Sequence, residues 1–482
     1  MFTYNDKDPK SIEAHGKKMI GKRFKEICEE AFSKQILQEE KKEYLGRHTD
    51  KNFKGRIGNL VEECWFGYAA NSDSNADFKD AGVELKVTPY IEGKRGYRAK
   101  ERLVLTMINY MDIINENDFD TSHLWSKAQL MLLVWYLHRK GIDDIESTVD
   151  FVQLFTPPKE DLQIIKEDYK KILDKIKAGK AHELSEGDTL YLGACTKASS
   201  STVQRKQPFS NEPAKPRAFS FKNSYMTYVL NNYIIEGKTT YEPIIKEGTA
   251  VTDFEKYVQD KILSYKGQSA SELCKRFNLN SSAKHMHAQI AFSILGVNSN
   301  QCEEFIKAGI AVKTIRINKN GTIKENMSFP PIDYQELAEE TWDDCTFGNY
   351  LRDTRFFFII YREDKNNILR LDGCKFWNIP MEDLESDVKS VWQETHDIIA
   401  NGNLILDLDK AGRIINNLPK KKDHPISHVR PHGRNRLDTK PLPQGTTLSI
   451  VPSSNLDWPD DTAYTKMCFW LNNDYILKQI ED

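Results

Sequence analysis

The feature that most constrains the fold of this chain is an internal repetition. Three segments of the first half have counterparts in the second half, in the same order and roughly 225–250 residues apart. A period of this length indicates a duplicated domain rather than a solenoid of short repeats. The paired segments are 77–88 with 304–315 (DFKDAGVELKVT and EFIKAGIAVKTI), 122–139 with 349–364, and 218–230 with 468–480.

The duplication predicts two related domains joined by a short linker. We place the first domain at 1–235 and the second at 253–482. The stretch between them, 236–252, contains Gly, Thr, Pro and charged residues without a sustained hydrophobic period, which is typical of a linker.

Hydrophobic periodicity predicts an α/β fold for each domain. Residues 12–35 and 58–68 have apolar positions at helical spacing. Residues 81–89 alternate between apolar and polar side chains, as a half-buried strand does, and 128–137 read as a buried strand. We therefore expect a mixed sheet flanked by helices in each half.

Composition leaves a nucleic-acid partner open and argues against a membrane protein. No apolar run approaches the roughly 20 residues that a membrane-spanning helix requires. The first residues, MFTYNDKDPK, do not form a signal peptide, so we expect a cytoplasmic protein. The net charge of −3 is uninformative about DNA, because local clusters of positive charge decide that question.

The candidate chemistry lies in the first copy of the repeat. On a strand, Glu84 and Lys86 project from the same face, and Asp77 can fold back beside them across the Asp80–Gly82 turn. Two carboxylates and one ammonium group suit hydrolysis of a phosphodiester assisted by Mg²⁺. Glu63, in the preceding helix, is a candidate third carboxylate. The alternative is that the E-x-K pair forms an ordinary solvated strand face.

The second copy retains the apolar frame and loses these carboxylates. Glu84 aligns with Ala311, Lys86 with Lys313, and Asp77 with Glu304. This pattern is expected of a domain that binds DNA without cutting it.

Three motifs give the chain a family resemblance. The run G-x-L-x-E-E-C-W-F-G at 58–67, followed by A-D-F at 76–78 and AGVELKVTP at 81–89, resembles the MutH-type branch of the PD-(D/E)XK nucleases. Within that branch the chain is most similar to the staphylococcal restriction endonucleases that cut GATC. The resemblance continues through 180–187, 195–199, 217–222 and 428–432, and so spans nearly the whole chain.

The resemblance implies two restriction-endonuclease-like domains and a set of catalytic residues. Asp77, Glu84 and Glu63 would bind the metal, Lys86 would assist the attacking water, and Lys127 would support the transition state. Glu63 is preferred to Glu62 because the family's acid stands two residues before the tryptophan, here Trp65. One extra residue between Gly58 and Trp65 departs from the family pattern.

The resemblance also implies loops that read DNA. The alternative is that these segments are ordinary solvated basic loops. The segment 195–222 carries six Lys or Arg and one acidic residue, and 413–440 carries eight Lys or Arg and two acidic residues. The candidate DNA contacts are Lys197, Ser199, Arg205, Lys206, Arg217, Lys222, Arg430, Arg434 and Arg436.

The expected function is that of a type II restriction endonuclease of the bacterial cytoplasm. It would cut both strands at 5′-GATC-3′ with Mg²⁺, while the second domain binds a second DNA site as effector. Because only one catalytic centre is intact, either two chains form a DNA-induced homodimer or one chain nicks twice. A companion DNA methyltransferase is implied. The alternatives are a GATC-specific nicking nuclease of mismatch repair and a non-catalytic DNA-binding regulator on a nuclease fold.

Overall fold

The computed structural model describes most of the chain and divides it into two compact units. Unit 1 comprises Met1–Phe254 and Asn300–Ile310, and unit 2 comprises Glu255–Ser299 and Ala311–Asp482. Part of the predicted linker, 236–240 and 250, lies outside the described residues. The described ranges are 4–33, 55–68, 75–93, 96–116, 118–198, 202–235, 241–249, 251–454 and 456–481.

Unit 1 contains nine strands and a set of short to medium helices within the described residues. The strands are β1 (Glu84–Gly93), β2 (Gly96–Ala99), β3 (Leu103–Met107), β4 (Met131–Leu137), β5 (Val149–Phe155), β6 (Leu192–Thr196), β7 (Arg205–Gln207), β8 (Ser210–Ala214) and β9 (Arg217–Phe221). The helices are Pro9–Lys17, Phe24–Ser33, Arg56–Leu60, Val61–Phe66, Tyr110–Ile113, His123–Ala128, Lys159–Lys177, Asn223–Val229, Leu230–Ile234 and Glu303–Ala308.

The larger sheet of unit 1 has the strand order β2-β1-β4-β5. Strands β1 and β4 are parallel, with Glu84 opposite Met131, and the outer strands pair antiparallel with them. β4 is buried along almost its whole length, as its continuous apolar run predicts. The predicted strand at 128–137 is therefore the centre of this sheet.

The smaller sheet of unit 1 is antiparallel, with the order β3-β9-β6. The chain between β6 and β9 forms the separate hairpin β7-β8. This connection contains most of the predicted DNA-reading loop.

Unit 2 contains eleven strands within the described residues. They are β10 (Ala311–Ile317), β11 (Met327–Pro331), β12 (Phe356–Glu363), β13 (Leu369–Trp377), β14 (Ile405–Leu408), β15 (Ile414–Asn416), β16 (Ser427–Pro431), β17 (Thr439–Pro441), β18 (Ser449–Ile450), β19 (Ala463–Thr465) and β20 (Met467–Leu471). The helices are Phe254–Leu263, Ala270–Arg276, Met286–Leu295, Tyr334–Glu339, Thr346–Asp353, Met381–Asp383, Leu384–Val388, Lys389–Ala400 and Asn473–Glu481.

The two main sheets of unit 2 repeat the arrangement of unit 1, which confirms the predicted duplication. In the sheet β10-β12-β13 the first two strands are parallel and the third is antiparallel, as in β1-β4-β5. The sheet β11-β20-β16 is antiparallel and follows the chain order of β3-β9-β6. Smaller pairings, β15-β14-β18 and β17-β19, complete the unit.

Two side-chain contacts recur at equivalent places in the units. The Tyr110 hydroxyl donates to the carbonyl of Lys215, two residues before β9, and Tyr334 donates to the carbonyl of Thr465, two residues before β20. Asp168 accepts the backbone N–H groups of Leu190–Leu192, at the start of β6. Asp387 accepts those of Ile426 and Ser427, at the start of β16. Both halves therefore fold on the same plan.

The helix Glu303–Ala308 departs from the sequence assignment. The sequence predicts that this segment belongs to the second domain, 253–482, whereas the structure groups it with unit 1. Its Glu304 carboxylate accepts the backbone N–H groups of Ile244 and Ile245, at 2.9 and 2.8 Å. Glu304 is thus used as a backbone cap, so its alignment with Asp77 does not reflect a shared role.

Candidate active site

A tight loop brings Asp77 to Glu84. Phe78 and Val83 bond to each other as an isolated antiparallel bridge, and Gly82 closes the loop with a φ of +64°, which only glycine adopts without strain. The Asp77 Oδ2 then accepts the backbone N–H of Leu85 at 2.8 Å. The two carboxylates, seven residues apart in sequence, consequently share one site.

Glu84 forms the centre of the cluster. Its side chain is only 3% exposed, and its Oε1 accepts the Lys86 ammonium at 2.8 Å. Its Oε2 accepts the Lys127 ammonium at 3.0 Å. Because Glu84 is buried and bonded on both oxygens, the E-x-K pair is not a solvated strand face.

The short helix His123–Ala128 delivers Lys127 to this cluster. The Ser122 hydroxyl caps the helix by accepting the N–H of Trp125 at 3.0 Å. Lys127 is buried and also donates to the carbonyl of Asn75. The structure therefore brings together Asp77, Glu84, Lys86 and Lys127 as the sequence predicted.

A π-helix carries both candidates for the third carboxylate, Glu62 and Glu63. The extra residue between Gly58 and Trp65 lies in a π-helical turn, Val61–Phe66, which is how a helix accommodates one inserted residue. The pKa of Glu62 is raised to about 7, first by burial and then by the nearby Asp77 carboxylate, while Lys86 opposes the rise. Glu62 is therefore in electrostatic contact with the site and is the stronger candidate, whereas the choice of Glu63 stays a prediction.

The Asp77 carboxyl is held in a mixed environment. Burial raises its pKa and the nearby Glu84 carboxylate adds to that rise, while the Leu85 N–H and the two lysines act in the opposite direction. A carboxylate in this position gains from any additional positive charge that enters the site.

A cleft of about 520 Å³ opens beside Asp77. Tyr4, Phe66 and Tyr68 line it together with Asp77. The Tyr68 hydroxyl is buried and has no hydrogen-bond partner among the residues that the structure describes. Sequence reasoning missed Tyr68, because a single tyrosine after a Phe-Gly pair carries no signal of its own.

The donor set fits a hard divalent cation that is completed by substrate. Within the described part of the chain, no three His, Cys, Asp or Glu side chains lie together as a ready-made metal site. Mg²⁺ is commonly held by one or two carboxylates together with substrate phosphate and water. Asp77 and Glu84 supply such a pair, and the substrate would have to supply the remaining ligands.

The corresponding place in unit 2 lacks this chemistry. Ala311 and Lys313 lie opposite Phe356 and Phe358 in the parallel pair β10-β12, as Glu84 and Lys86 lie opposite Met131 and Leu133. Burial lowers the pKa of Lys313, and no carboxylate compensates for it. This strand therefore retains the lysine of the catalytic motif without its acid.

The predicted DNA contacts of unit 1 fall into two groups. Lys197, Arg205 and Lys206 are exposed, the last two on the hairpin β7-β8. Ser199 lies outside the described residues.

Arg217 and Lys222 require a correction, since both are buried and serve the interior. Arg217 is 4% exposed and donates to the carbonyl of Ala194 at 2.7 Å. Lys222 is 3% exposed and donates to the carbonyl of Thr189 at 2.5 Å. These two cations tie β9 to the β6 segment and do not present their charge to a ligand.

The predicted DNA contacts of unit 2 lie at the surface. Arg430, Arg434 and Arg436 are all exposed, and the Arg430 guanidinium lies 4.8 Å from the centre of the Trp470 ring. Arg430 lies near the end of β16, whereas Arg434 and Arg436 lie in the connection between β16 and β20, which is the counterpart of the β6–β9 connection in unit 1.

The similarity to known proteins agrees with this geometry. The family model for the DNA mismatch repair enzyme MutH matches residues 66–168 and 295–387, once in each half. The type II restriction enzyme Sau3AI of Staphylococcus aureus is 37% identical over 94% of this chain and 97% of its own length. The chain belongs to the MutH-type restriction endonuclease family. The two matches of the MutH-type model end at Asp168 and Asp387, the aspartates that make equivalent backbone contacts in the two units.

The MutH proteins themselves match a smaller share of the chain. Those of Shewanella baltica (strain OS185) and Vibrio campbellii are each 28% identical, over 38% and 39% of this chain and 80% and 83% of their own lengths. The chain is thus about two and a half times as long as the part that these proteins share with it. The recognition of the family from its sequence motifs is confirmed.

The assignment of the third carboxylate is testable with a matched pair. We expect Glu62→Gln to lower the cleavage rate about 100-fold, because Glu62 interacts with Asp77, Glu84 and Lys86, and Glu63→Gln to lower it less than about threefold. Single-turnover cleavage of a labelled duplex measures both. A larger loss in the Glu63 variant would restore the sequence-based choice.

Proposed function

We propose that this chain is a type II restriction endonuclease that cuts both strands of duplex DNA at 5′-GATC-3′. The observation that carries the proposal is the cluster of Asp77, Glu84, Lys86 and Lys127 around the buried Glu84 carboxylate in unit 1. The type II restriction activity rests also on the relative that shares nearly the whole length of the chain, and the GATC target rests on the family resemblance.

Asp77 and Glu84 would hold a divalent cation, for which we propose Mg²⁺. When bound, the ion neutralises charge on the scissile phosphate and lowers the pKa of the attacking water. Lys86 and Lys127 both donate to the Glu84 carboxylate and so lie at this cation site. Lys86 would orient the attacking water, and Lys127 would stabilise charge that develops on the phosphate oxygens.

DNA recognition in unit 1 is assigned to the exposed basic residues. Lys197 would contact base edges in the major groove, and Arg205 and Lys206 would contact phosphates or bases from the hairpin β7-β8. Loops mounted on a rigid sheet are well placed for this task.

The restriction function also implies where the protein acts and with which partner. As part of this proposal, the chain acts in the bacterial cytoplasm beside a companion DNA methyltransferase. Within the described residues, no helix is long and apolar enough to cross a membrane.

The test of this function uses plasmid DNA with defined GATC sites. Incubation with Mg²⁺ should give linear fragments with ends at GATC, and EDTA should prevent their formation. Nicked circles alone would indicate the nicking nuclease of mismatch repair instead. Binding to GATC duplexes without cleavage would indicate a non-catalytic regulator.

Unit 2 is proposed to bind a second GATC site and to favour a cutting-competent assembly. A palindrome requires two cuts, whereas the described part of the chain has one intact carboxylate cluster. Two chains meeting as a DNA-induced homodimer would supply both, and a second bound site would promote that meeting.

This proposal predicts that site number changes the cleavage rate. At low enzyme concentration, a plasmid with two GATC sites should be cut at least fivefold faster per site than a plasmid with one. Adding a short GATC duplex in trans should raise the rate on the single-site plasmid, while a duplex with a scrambled site should not. Equal rates per site on both plasmids would contradict the effector role.

A further inference from the structure

The connection between β16 and β20 encloses a cavity that the restriction function does not explain. The cavity measures about 500 Å³ and lies within unit 2. This volume is in the range of roughly 300–1,000 Å³ found for small-molecule sites. It is far larger than the space that a single phosphate contact on the DNA backbone requires.

The charge of the cavity wall favours an anionic ligand. Lys420, Lys421, Arg430 and Arg436 line it, and none of the described lining residues is acidic. Lys421 is paired with Asp474 at 2.6 Å, whereas Lys420 donates to the neutral Asn416 side chain. Burial lowers the pKa of Lys420, so an anion that enters the cavity would restore its favoured charged state.

Two aromatic rings form another part of the wall. Trp458 and Tyr464 lie 5.6 Å apart between ring centres, and both are buried. The Trp458 indole N–H donates to the carbonyl of Ala463, and the Tyr464 hydroxyl accepts the Asn416 amide. Because the indole N–H and the tyrosine hydroxyl are both bonded, the parts of these residues that line the cavity are apolar, and a base can lie against them.

His428 supplies a directional acceptor. The side-chain NH2 group of Asn472 donates to the backbone carbonyl of His424. The side-chain oxygen of Asn472, Oδ1, therefore faces His428. The His428 Nδ1 therefore carries the proton and donates to that oxygen at 2.6 Å. This leaves Nε2 as an acceptor, and it has no partner among the described residues. An exocyclic amino group of a base is the matching donor.

Unit 1 has no counterpart of this histidine. The register of β16 on β20 and of β6 on β9 places Gly193 at the position of His428. The Glu186 side chain packs against Gly193, within 3.4 Å of the position that a Cβ would take. The His428 acceptor is therefore a feature of unit 2 and has no equivalent side chain at this position of unit 1.

We propose that this cavity binds one nucleotide of a DNA strand, with its phosphate at Lys420 and Arg436 and an amino-bearing base against Trp458 and His428. In a duplex, such a nucleotide must leave the base stack, at a cost of a few kcal/mol. The inference rests on the proposed DNA-effector role of unit 2 and specifies how that role is carried out. The proposal commits to the adenine or the cytosine of GATC, the two bases whose exocyclic amino groups face the major groove.

The experiment measures unstacking directly. The full-length chain is mixed in EDTA with GATC duplexes that carry 2-aminopurine in place of the adenine or pyrrolocytosine in place of the cytosine. Binding should raise the fluorescence of one of the two probes at least threefold. Lys420→Ala and Arg436→Ala should each remove most of this rise and weaken duplex binding at least fivefold.

Lys422→Ala is the matched control, because Lys422 is an exposed lysine that does not line the cavity. It should leave the fluorescence rise intact. No rise with either probe, or a rise that the Lys420 and Arg436 variants retain, would overturn the proposal. Saturation of the cavity by free dAMP, without a rise in the duplex, would assign it to a free nucleotide and also overturn it.

The plasmid assay separates this inference from the proposed function. A chain that cuts plasmid DNA at GATC but gives no fluorescence rise would refute the nucleotide cavity alone. A chain that gives the rise but never cuts would refute the nuclease function and leave the cavity in place.

Discussion

Replacement of Glu84 should abolish cleavage, with a loss of about 1,000-fold or more in single-turnover rate. Glu84 is the buried carboxylate to which both lysines bond, at 2.8 and 3.0 Å, and it is one of the two acids that would hold the divalent cation. Alanine removes the acid altogether. Glutamine retains the size of the side chain and one oxygen but removes the negative charge that a cation requires.

Two comparisons keep this result interpretable. Glu84→Ala leaves two ammonium groups without their acid, so its thermal unfolding must be measured beside that of the milder Glu84→Gln variant. Glu92→Gln alters an exposed glutamate on the same strand and should cut at the normal rate. If Glu84→Gln folds normally and retains more than a tenth of the cleavage rate, the catalytic assignment is wrong.

The largest effect on stability is expected at Asp161, far along the sequence from its partner Lys307. Both side chains are 2% exposed, and their ion pair has a length of 2.6 Å. Burial alone would lower the pKa of Lys307, but the Asp161 and Glu303 carboxylates more than offset this effect. Removing one partner of a buried pair typically costs about 3–5 kcal/mol. Without Asp161, Lys307 would keep only the partly exposed Glu303 carboxylate, and the buried Tyr225 hydroxyl would lose its acceptor.

We therefore expect Asp161→Ala to lower the free energy of unfolding by about 3–5 kcal/mol, measured by chemical denaturation with a probe that reports on unit 1. The double variant Asp161→Leu with Lys307→Met should recover most of that loss, since a well-packed apolar pair removes the buried ammonium group, while the partly exposed Glu303 can be solvated. The matched surface pair is Lys170 with Asp174, which is exposed at both ends. Asp174→Ala should cost less than about 1 kcal/mol. A comparable cost at the two positions would contradict the importance of burial.

The sequence anticipated the active site well because its residues are close together along the chain. Asp77, Glu84 and Lys86 span one turn and one strand, where alternation fixes which side chains share a face. The family resemblance added Lys127, whose helix lies directly before the central strand β4. The sequence does not decide between Glu62 and Glu63. One extra residue in a regular helix rotates every later side chain, and the sequence alone does not show that this helix accommodates the residue as a π turn.

The DNA-contact predictions show a different limit. Lys197, Arg205 and Lys206 are exposed as expected, whereas Arg217 and Lys222 lie inside the protein. From the sequence alone, a basic residue that faces DNA cannot be distinguished from one that is buried and bonded to a backbone carbonyl. Only the fold reveals that a carbonyl group of a neighbouring strand accepts its hydrogen bonds.

The sequence by itself determined the α/β class, the duplication, the family and the local part of the catalytic cluster. Each of these depends on periodicity or on spacings within a short segment, which backbone geometry converts directly into structure. The tertiary structure alone decided which unit the helix Glu303–Ala308 joins and which cations are buried. It also brought residues 414–436 and 458–465 together around one cavity. Such features depend on contacts between distant segments, and a single sequence carries no local signal for them.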